Sequence, residues 1–123
     1  MANTLLNRNY TAAAAIAAFR IVKPAADGEV LQAAAATDAL MGVCESVGPA
    51  AGERCDIVKV GIADVEFGGP VTRGGPVTSD AIGRAIAAAP AAGSNVRVIG
   101  YAEVSAVAGD IAPVLIAPGV MQG

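Results

Sequence analysis

The sequence has no histidine and no tryptophan, and only two phenylalanines, two tyrosines and two cysteines occur among its 123 residues. Without histidine the chain cannot form a Ser-His-Asp or Cys-His catalytic pair, a histidine-ligated metal site or a haem with a histidine ligand. Two cysteines are too few for a four-thiolate zinc or iron–sulfur centre within one chain. We therefore expect no metal, no cofactor and no enzymatic activity.

Positive charge is also scarce. Eight basic residues against eleven acidic ones give a net charge of −3, which is the opposite of the balance that nucleic-acid binding usually needs. No uncharged stretch carries enough large side chains to span a bilayer, and the first residues lack the order of a secretion signal. We expect a protein of the cytosol, or of a particle assembled there, with no nucleic-acid or membrane partner.

Small residues are abundant instead. The chain holds 29 alanines and 15 glycines, whereas Leu, Ile, Val and Phe together number 31. That share of large apolar side chains exceeds the level typical of disordered chains, so a fold is expected. Alanine gains little from burial, so the core should be thin for a domain of this length. We expect contacts with other subunits to complete the burial.

Short apolar runs separated by Gly and Pro turns fill most of the chain. This pattern predicts an all-β fold, a small β-barrel or sandwich of short antiparallel strands. Asp27-Gly28 is a hairpin signal between the first two runs. The predicted strands are 16–23, 29–33, 40–45, 55–60, 62–67, 84–88, 96–103 and 111–116.

The first fifteen residues differ from the rest because they are rich in Asn and Thr and contain few large apolar side chains. We predict an extended N-terminal arm over 1–15 and a single β domain over 16–123. Such an arm is either a loose terminus or a segment that docks onto a neighbouring subunit, and we favour docking.

Two segments invite a chemical interpretation. Residues 68–73 and 74–79 repeat Gly-Gly-Pro-Val-Thr, and glycine-rich loops can bind phosphate, but proline removes an amide donor from each copy. We predict a rigid projecting loop.

Asp64 and Glu66 share one face of a predicted strand, where paired carboxylates could act on sugars. The alternation of apolar and polar residues along this strand instead predicts that the two carboxylates lie on a solvated outer face.

Cys44 and Cys55 flank a predicted Ala/Gly turn. They could face each other across a hairpin and form a disulfide, or they could be free thiols in the core of a cytosolic protein. Without a histidine to activate a thiolate, we expect no catalytic role for either residue.

Several segments in their order along the chain resemble a known family. These segments are 21–23 with 27–28, 36–43, 51–54, 61–66, 68–74, 79–85, and 99–103 with 108–110. Through them the chain resembles the small Ala/Gly-rich capsid decoration proteins of tailed bacteriophages, which are also called cement or head-stabilising proteins.

The resemblance implies a small β-barrel on the outside of an assembled phage head, where it clamps adjacent major capsid protein subunits and stabilises the shell. It also implies a homo-oligomer, expected to be a trimer, that is assembled in the host cytoplasm. The alternative is a carbohydrate- or host-surface-binding module displayed on the virion, although exposed aromatic residues are few. We predict interface residues in the arm at Leu5, Leu6, Asn7, Arg8 and Tyr10, and in the loop at Phe67, Pro70, Arg73 and Pro76.

Overall fold

A computed structural model describes residues 3–45 and 48–123, and within these ranges the chain forms nine β-strands and no helix. The strands are β1 (Asn3–Ala12), β2 (Arg20–Pro24), β3 (Glu29–Gln32), β4 (Gly42–Cys44), β5 (Arg54–Glu66), β6 (Pro76–Ser79), β7 (Ala85–Ala87), β8 (Asn95–Ala102) and β9 (Ile111–Gln122). The predicted all-β fold is confirmed. Among the described residues no helix is long and apolar enough to cross a bilayer.

The first five strands close into a ring. Their order is β1-β3-β2-β4-β5, and β5 pairs again with β1, so every strand of the ring has two neighbours. The β1–β3 contact is parallel and short, whereas the other four contacts are antiparallel. Beyond β5 the sheet continues as the open series β9-β8-β6-β7.

Two hydrophobic cores follow from this arrangement. The ring core receives side chains from all five ring strands and therefore lies inside the ring; its members are Tyr10, Ala12, Ile16, Val22, Val30, Cys44, Cys55 and Ile57. A second core, here the sheet core, joins the outer wall of the ring to the open sheet, with Ile21, Val43 and Val58 contributed by the ring. Successive residues of a strand point to opposite faces, so a neighbouring pair such as Ile57 and Val58 supplies both cores.

Strand β5 is longer than expected. The sequence predicts separate strands at 55–60 and 62–67, whereas the structure has one strand of 13 residues that continues through Gly61. Gly61 has a φ of 112°, a conformation that residues with a side chain rarely adopt. Strand β1 pairs with β5 up to Ile62, and β9 pairs with β5 from Gly61 onward, so β5 connects the two parts of the fold.

The predicted strand at 16–23 begins later, at Arg20. Phe19 has a positive φ of 60°, and its amide donates to the Glu45 carbonyl oxygen while its own carbonyl accepts from the Glu66 amide. These two bonds tie the start of β2 to the residue after β4 and to the end of β5. The residues before Phe19 are held by side-chain burial, since Ile16 lies in the ring core.

Residues 3–12 of the predicted arm form β1, which pairs with β5 of the same chain from Asn3 to Thr11. Met1 and Ala2 lie outside the described residues. The predicted division into an arm over 1–15 and a domain over 16–123 stays a prediction. Strand β1 closes the ring, and its residues Tyr10 and Ala12 lie in the ring core.

Strands β8 and β9 approach each other so closely at Gly100 that we expect stability to be sensitive to a side chain at this position. A Cβ atom on Gly100 would overlap the carbonyl oxygen of Leu115 on the paired strand β9, whereas a Cβ on Gly119 would meet nothing within 4 Å. We expect Gly100→Ala to lower the free energy of unfolding by roughly 1–3 kcal/mol, the usual cost of overpacking, and Gly119→Ala to leave it nearly unchanged.

Urea denaturation of the two variants beside the parent protein measures this difference. Equal midpoints for Gly100→Ala and the parent protein would show that β8 and β9 do not pair in this register.

Candidate functional site

The predicted arm residues lead to an exposed apolar patch on β1. Leu5 is 77% exposed and Leu6 52% exposed, and Val60 of β5, which pairs with Leu6, is 42% exposed. The pairing register shifts on both sides of Leu6, which interrupts the normal in-and-out alternation of β1. Leu5, Leu6 and Val60 are called the β1 patch below.

Beside the β1 patch, two cations surround one buried aromatic ring. Tyr10 is 6% exposed, and the guanidinium carbon of Arg8 and the Nζ atom of Lys59 lie 5.2 and 5.5 Å from its ring centroid. Lys59 Nζ also donates a 2.9 Å hydrogen bond to the Tyr10 hydroxyl. Both contacts are in the range of cation–π attraction, so Tyr10 is a structural anchor for the two charges.

Neither of these cations has an acidic partner in the part of the chain that is described: no carboxylate lies within 4.0 Å of Arg8 or Lys59. By contrast, Arg20, Lys23 and Arg84 are all ion-paired. Positive charge without an acidic partner among the described residues therefore lies close in sequence to the β1 patch, with Arg8 two residues after Leu6 and Lys59 next to Val60.

Asn7 is exposed and lines a polar cavity of about 320 Å³, together with Glu53, Arg54 and Asp56. The neighbouring Asn9 side chain donates a 2.9 Å hydrogen bond to Asp56. Within residues 3–45 and 48–123, no group of three or more Cys, Asp or Glu side chains is arranged to hold a metal ion.

The four predicted loop residues have different surroundings. Phe67 is fully buried in the sheet core, so its side chain cannot reach a partner in this conformation. Pro70 and Arg73 are exposed, whereas Pro76 is half-buried and begins β6. The prediction of a projecting loop over 68–79 is therefore wrong for its second half, because Pro76–Ser79 pairs with β7 and β8. The Arg73 amide donates a 3.0 Å hydrogen bond to the Ser105 hydroxyl, which fixes the loop against the segment between β8 and β9.

Residues of both segments line a groove of about 540 Å³, among them Pro70, Thr72 and Val107. The arm and loop contact roles stay predictions. The structure places Leu5, Leu6, Arg8 and Tyr10 on β1, with Arg8 against the Tyr10 ring, and it places the predicted loop residues between the end of β5 and the start of β6.

Asp64 and Glu66, the two carboxylates singled out in the sequence, lie at the end of β5, and Glu66 takes part in structural ion pairs. Glu66 pairs with Arg20 at 3.1 Å and with Arg84 at 3.8 Å, and Arg84 also pairs with Asp80 at 2.9 Å. The Asp64 amide donates to the Glu45 carboxylate at 2.9 Å. These bonds join the end of β5 to β2, to the turn before β7 and to the residue that follows β4.

Sequence reasoning missed a second apolar surface. Among the described residues ten large apolar side chains are exposed, and six of them lie between positions 101 and 120: Tyr101, Val104, Val107, Ile111, Leu115 and Val120. The sequence feature that could have indicated this surface is the absence of any charged residue from 111 to 123. A strand with one solvated face normally carries polar residues at its outward positions.

The comparisons with known proteins concern the fold. No family model matches the chain, and no curated protein matches it. Among solved structures, the chain is similar to the head fiber gp8.5 N base of bacteriophage phi29, with a TM-score of 0.67 and 19% sequence identity. The similarity covers 91% of this chain and 93% of the phage chain. It shows that nearly the whole chain shares the fold of that base.

The two cysteines are free and buried in the ring core. Burial raises the pKa of Cys44 to about 11, with a smaller contribution from Cys55, and burial with the nearby Asp56 charge raises the pKa of Cys55. Both thiols stay protonated near neutral pH, so neither is an activated nucleophile.

We therefore expect both thiols to react with Ellman's reagent at pH 8 only after unfolding, because native burial blocks access and disfavours the thiolate. The measurement compares reactive thiols per chain in buffer and in guanidinium chloride. Rapid modification of either cysteine in the native protein would contradict its position in the ring core. Absence of reactive thiols after unfolding would indicate a disulfide.

Proposed function

We propose that the chain is a non-enzymatic structural protein of a bacteriophage virion, which binds the outer surface of the head and clamps adjacent major capsid protein subunits. The observation that carries this proposal is the fold shared with the phi29 head fiber base over 91% of the chain. The resemblance of the sequence to capsid decoration proteins supports the same placement independently.

The β1 patch is the proposed contact with the capsid. Exposed leucines on a rigid strand supply apolar area that a partner can bury, and each fully buried leucine contributes about 1.5–3 kcal/mol. The uncompensated charges of Arg8 and Lys59 at its border favour an acidic capsid surface. The β1 patch is held by pairing along β5, so binding requires little ordering of the backbone.

A clamp needs a second contact, and in this proposal the exposed loop residues Pro70 and Arg73, with Pro76 at the start of β6, supply it. Because the arm and loop residues lie on different parts of the sheet, each can engage a different capsid subunit. Each bound copy then stabilises the assembled shell by mass action. The proposed form is a homo-oligomer, expected to be a trimer, that is assembled in the host cytoplasm.

A carbohydrate-binding role has less support from the side chains. Sugar sites need exposed aromatic rings, and of the four aromatic residues Tyr10 and Phe67 are buried and Phe19 is half-buried. Tyr101 is 44% exposed, but it belongs to the second apolar surface considered below.

The test of capsid binding uses substitutions in the β1 patch. Deleting residues 1–11 would open the ring, so it would not separate binding from folding. We expect Leu5→Asp/Leu6→Asp to melt close to the parent protein, because both side chains are exposed, and to bind heads at least about tenfold more weakly, because two buried apolar contacts are lost.

The measurement is cosedimentation of purified protein with heads that lack it. Ile82→Asp is the matched control, since Ile82 is 44% exposed on the turn before β7, away from the β1 patch. Unchanged affinity of the double variant would refute the assignment of the β1 patch. Absence of cosedimentation by the parent protein would refute the proposed function.

A further inference from the structure

The outward side of β9 is apolar along its length. Ile111 is 50% exposed and Leu115 39% exposed, and Val120 near the end of the strand is 63% exposed. Tyr101 of β8 pairs directly with Leu115 and is 44% exposed. These four side chains are called the β9 face, and β9 carries no charged residue that would solvate it.

An irregularity in the β8–β9 ladder gives this face a concave part. The pairing register shifts between Val98 and Gly100, opposite Ala117 and Pro118 of β9. A groove of about 250 Å³ opens there, and Tyr101, Val120 and Met121 are among the residues that line it. An apolar side chain from a partner could occupy this groove.

The two ends of the β9 face carry opposite charges. Arg97 of β8 pairs with Val120 at one end, while Asp110 immediately precedes Ile111 at the other. Glu103 lies at the same end as Asp110, since its amide donates to the carbonyl of Pro113. All three charged residues are exposed. Within the described residues, no ion pair involves Arg97, Glu103 or Asp110.

These charges cannot pair within one chain. Val120 lies nine positions after Ile111, which corresponds to about 30 Å along an extended strand. This separation exceeds the screening length at physiological salt. The charge pattern is therefore complementary to itself: the basic end of one copy matches the acidic end of another.

We propose that the β9 face is the contact between copies of this chain, with the Arg97 end of one copy against the Glu103 and Asp110 end of the next. The centre of the contact buries Tyr101, Leu115 and Val120, and the charges at its ends set the relative direction of the copies. This deepens the proposed self-association. The contact between copies is tested with the protein alone in solution. A protein that fails to self-associate is therefore a different result from one that fails to bind heads.

The first experiment measures self-association of the full chain by sedimentation equilibrium without heads. We expect the parent protein to form a concentration-dependent homo-oligomer. Val120→Asp should weaken association by about tenfold or more, because it puts a charge where the contact between copies buries the valine side chain. Ile82→Asp adds the same charge outside the face and should associate like the parent protein. A parent protein that stays monomeric at all concentrations would overturn the proposal, as would equal association of the two variants.

The second experiment reverses the charges. We expect Arg97→Glu and Glu103→Arg each to weaken association by about threefold to tenfold, because each places like charges together. The double variant Arg97→Glu/Glu103→Arg restores opposite charges and should associate nearly as the parent protein does. If the double variant associates as weakly as the single variants, the proposed contact between the basic end and the acidic end is wrong.

A Val120→Asp variant that keeps the parent's oligomeric mass but loses head binding would show that the β9 face contacts the capsid instead of another copy.

Discussion

Strand β5 belongs to two hydrogen-bonded systems, and the rest of the fold depends on this sharing. Before Gly61 it closes the ring with β1, and after Gly61 it carries β9 and the open sheet. Its neighbouring side chains Ile57 and Val58 enter different cores. A chain with few large side chains thus uses both faces of one strand, which gives a core to each half of the molecule. The two proposed contacts, the β1 patch and the β9 face, lie on strands that both pair with β5.

Much of the fold could be predicted from the sequence because the signals are local. Alternating residues and turn residues located β3, β8 and the start of β9, and Asp27-Gly28 marked the hairpin between β2 and β3. Pairing between distant segments has no such signal. The polar β1 pairs with β5 about 50 residues later, so neither its place in the ring nor the continuity of β5 through Gly61 could be predicted.

The candidate sites were harder to predict because exposure depends on packing. Leu5 and Leu6 stood out as the large apolar residues of a polar segment, and the structure places both on the surface. Phe67 ends the predicted strand 62–67 and precedes two glycines, so it was predicted to be a loop contact, but it is buried in the sheet core. The β9 face was overlooked because an apolar strand reads as buried on both sides until its sheet partners are known.

We propose that this protein sits on the outside of a phage head and binds the shell through β1. A cryo-EM map of mature heads carrying the chain would show its position and orientation. We expect density for the domain outside the shell where capsid subunits meet, with Leu5 and Leu6 against the shell and the β9 face toward a neighbouring copy. Density inside the shell, or a domain whose β1 patch faces solvent while another surface contacts the capsid, would contradict the claim.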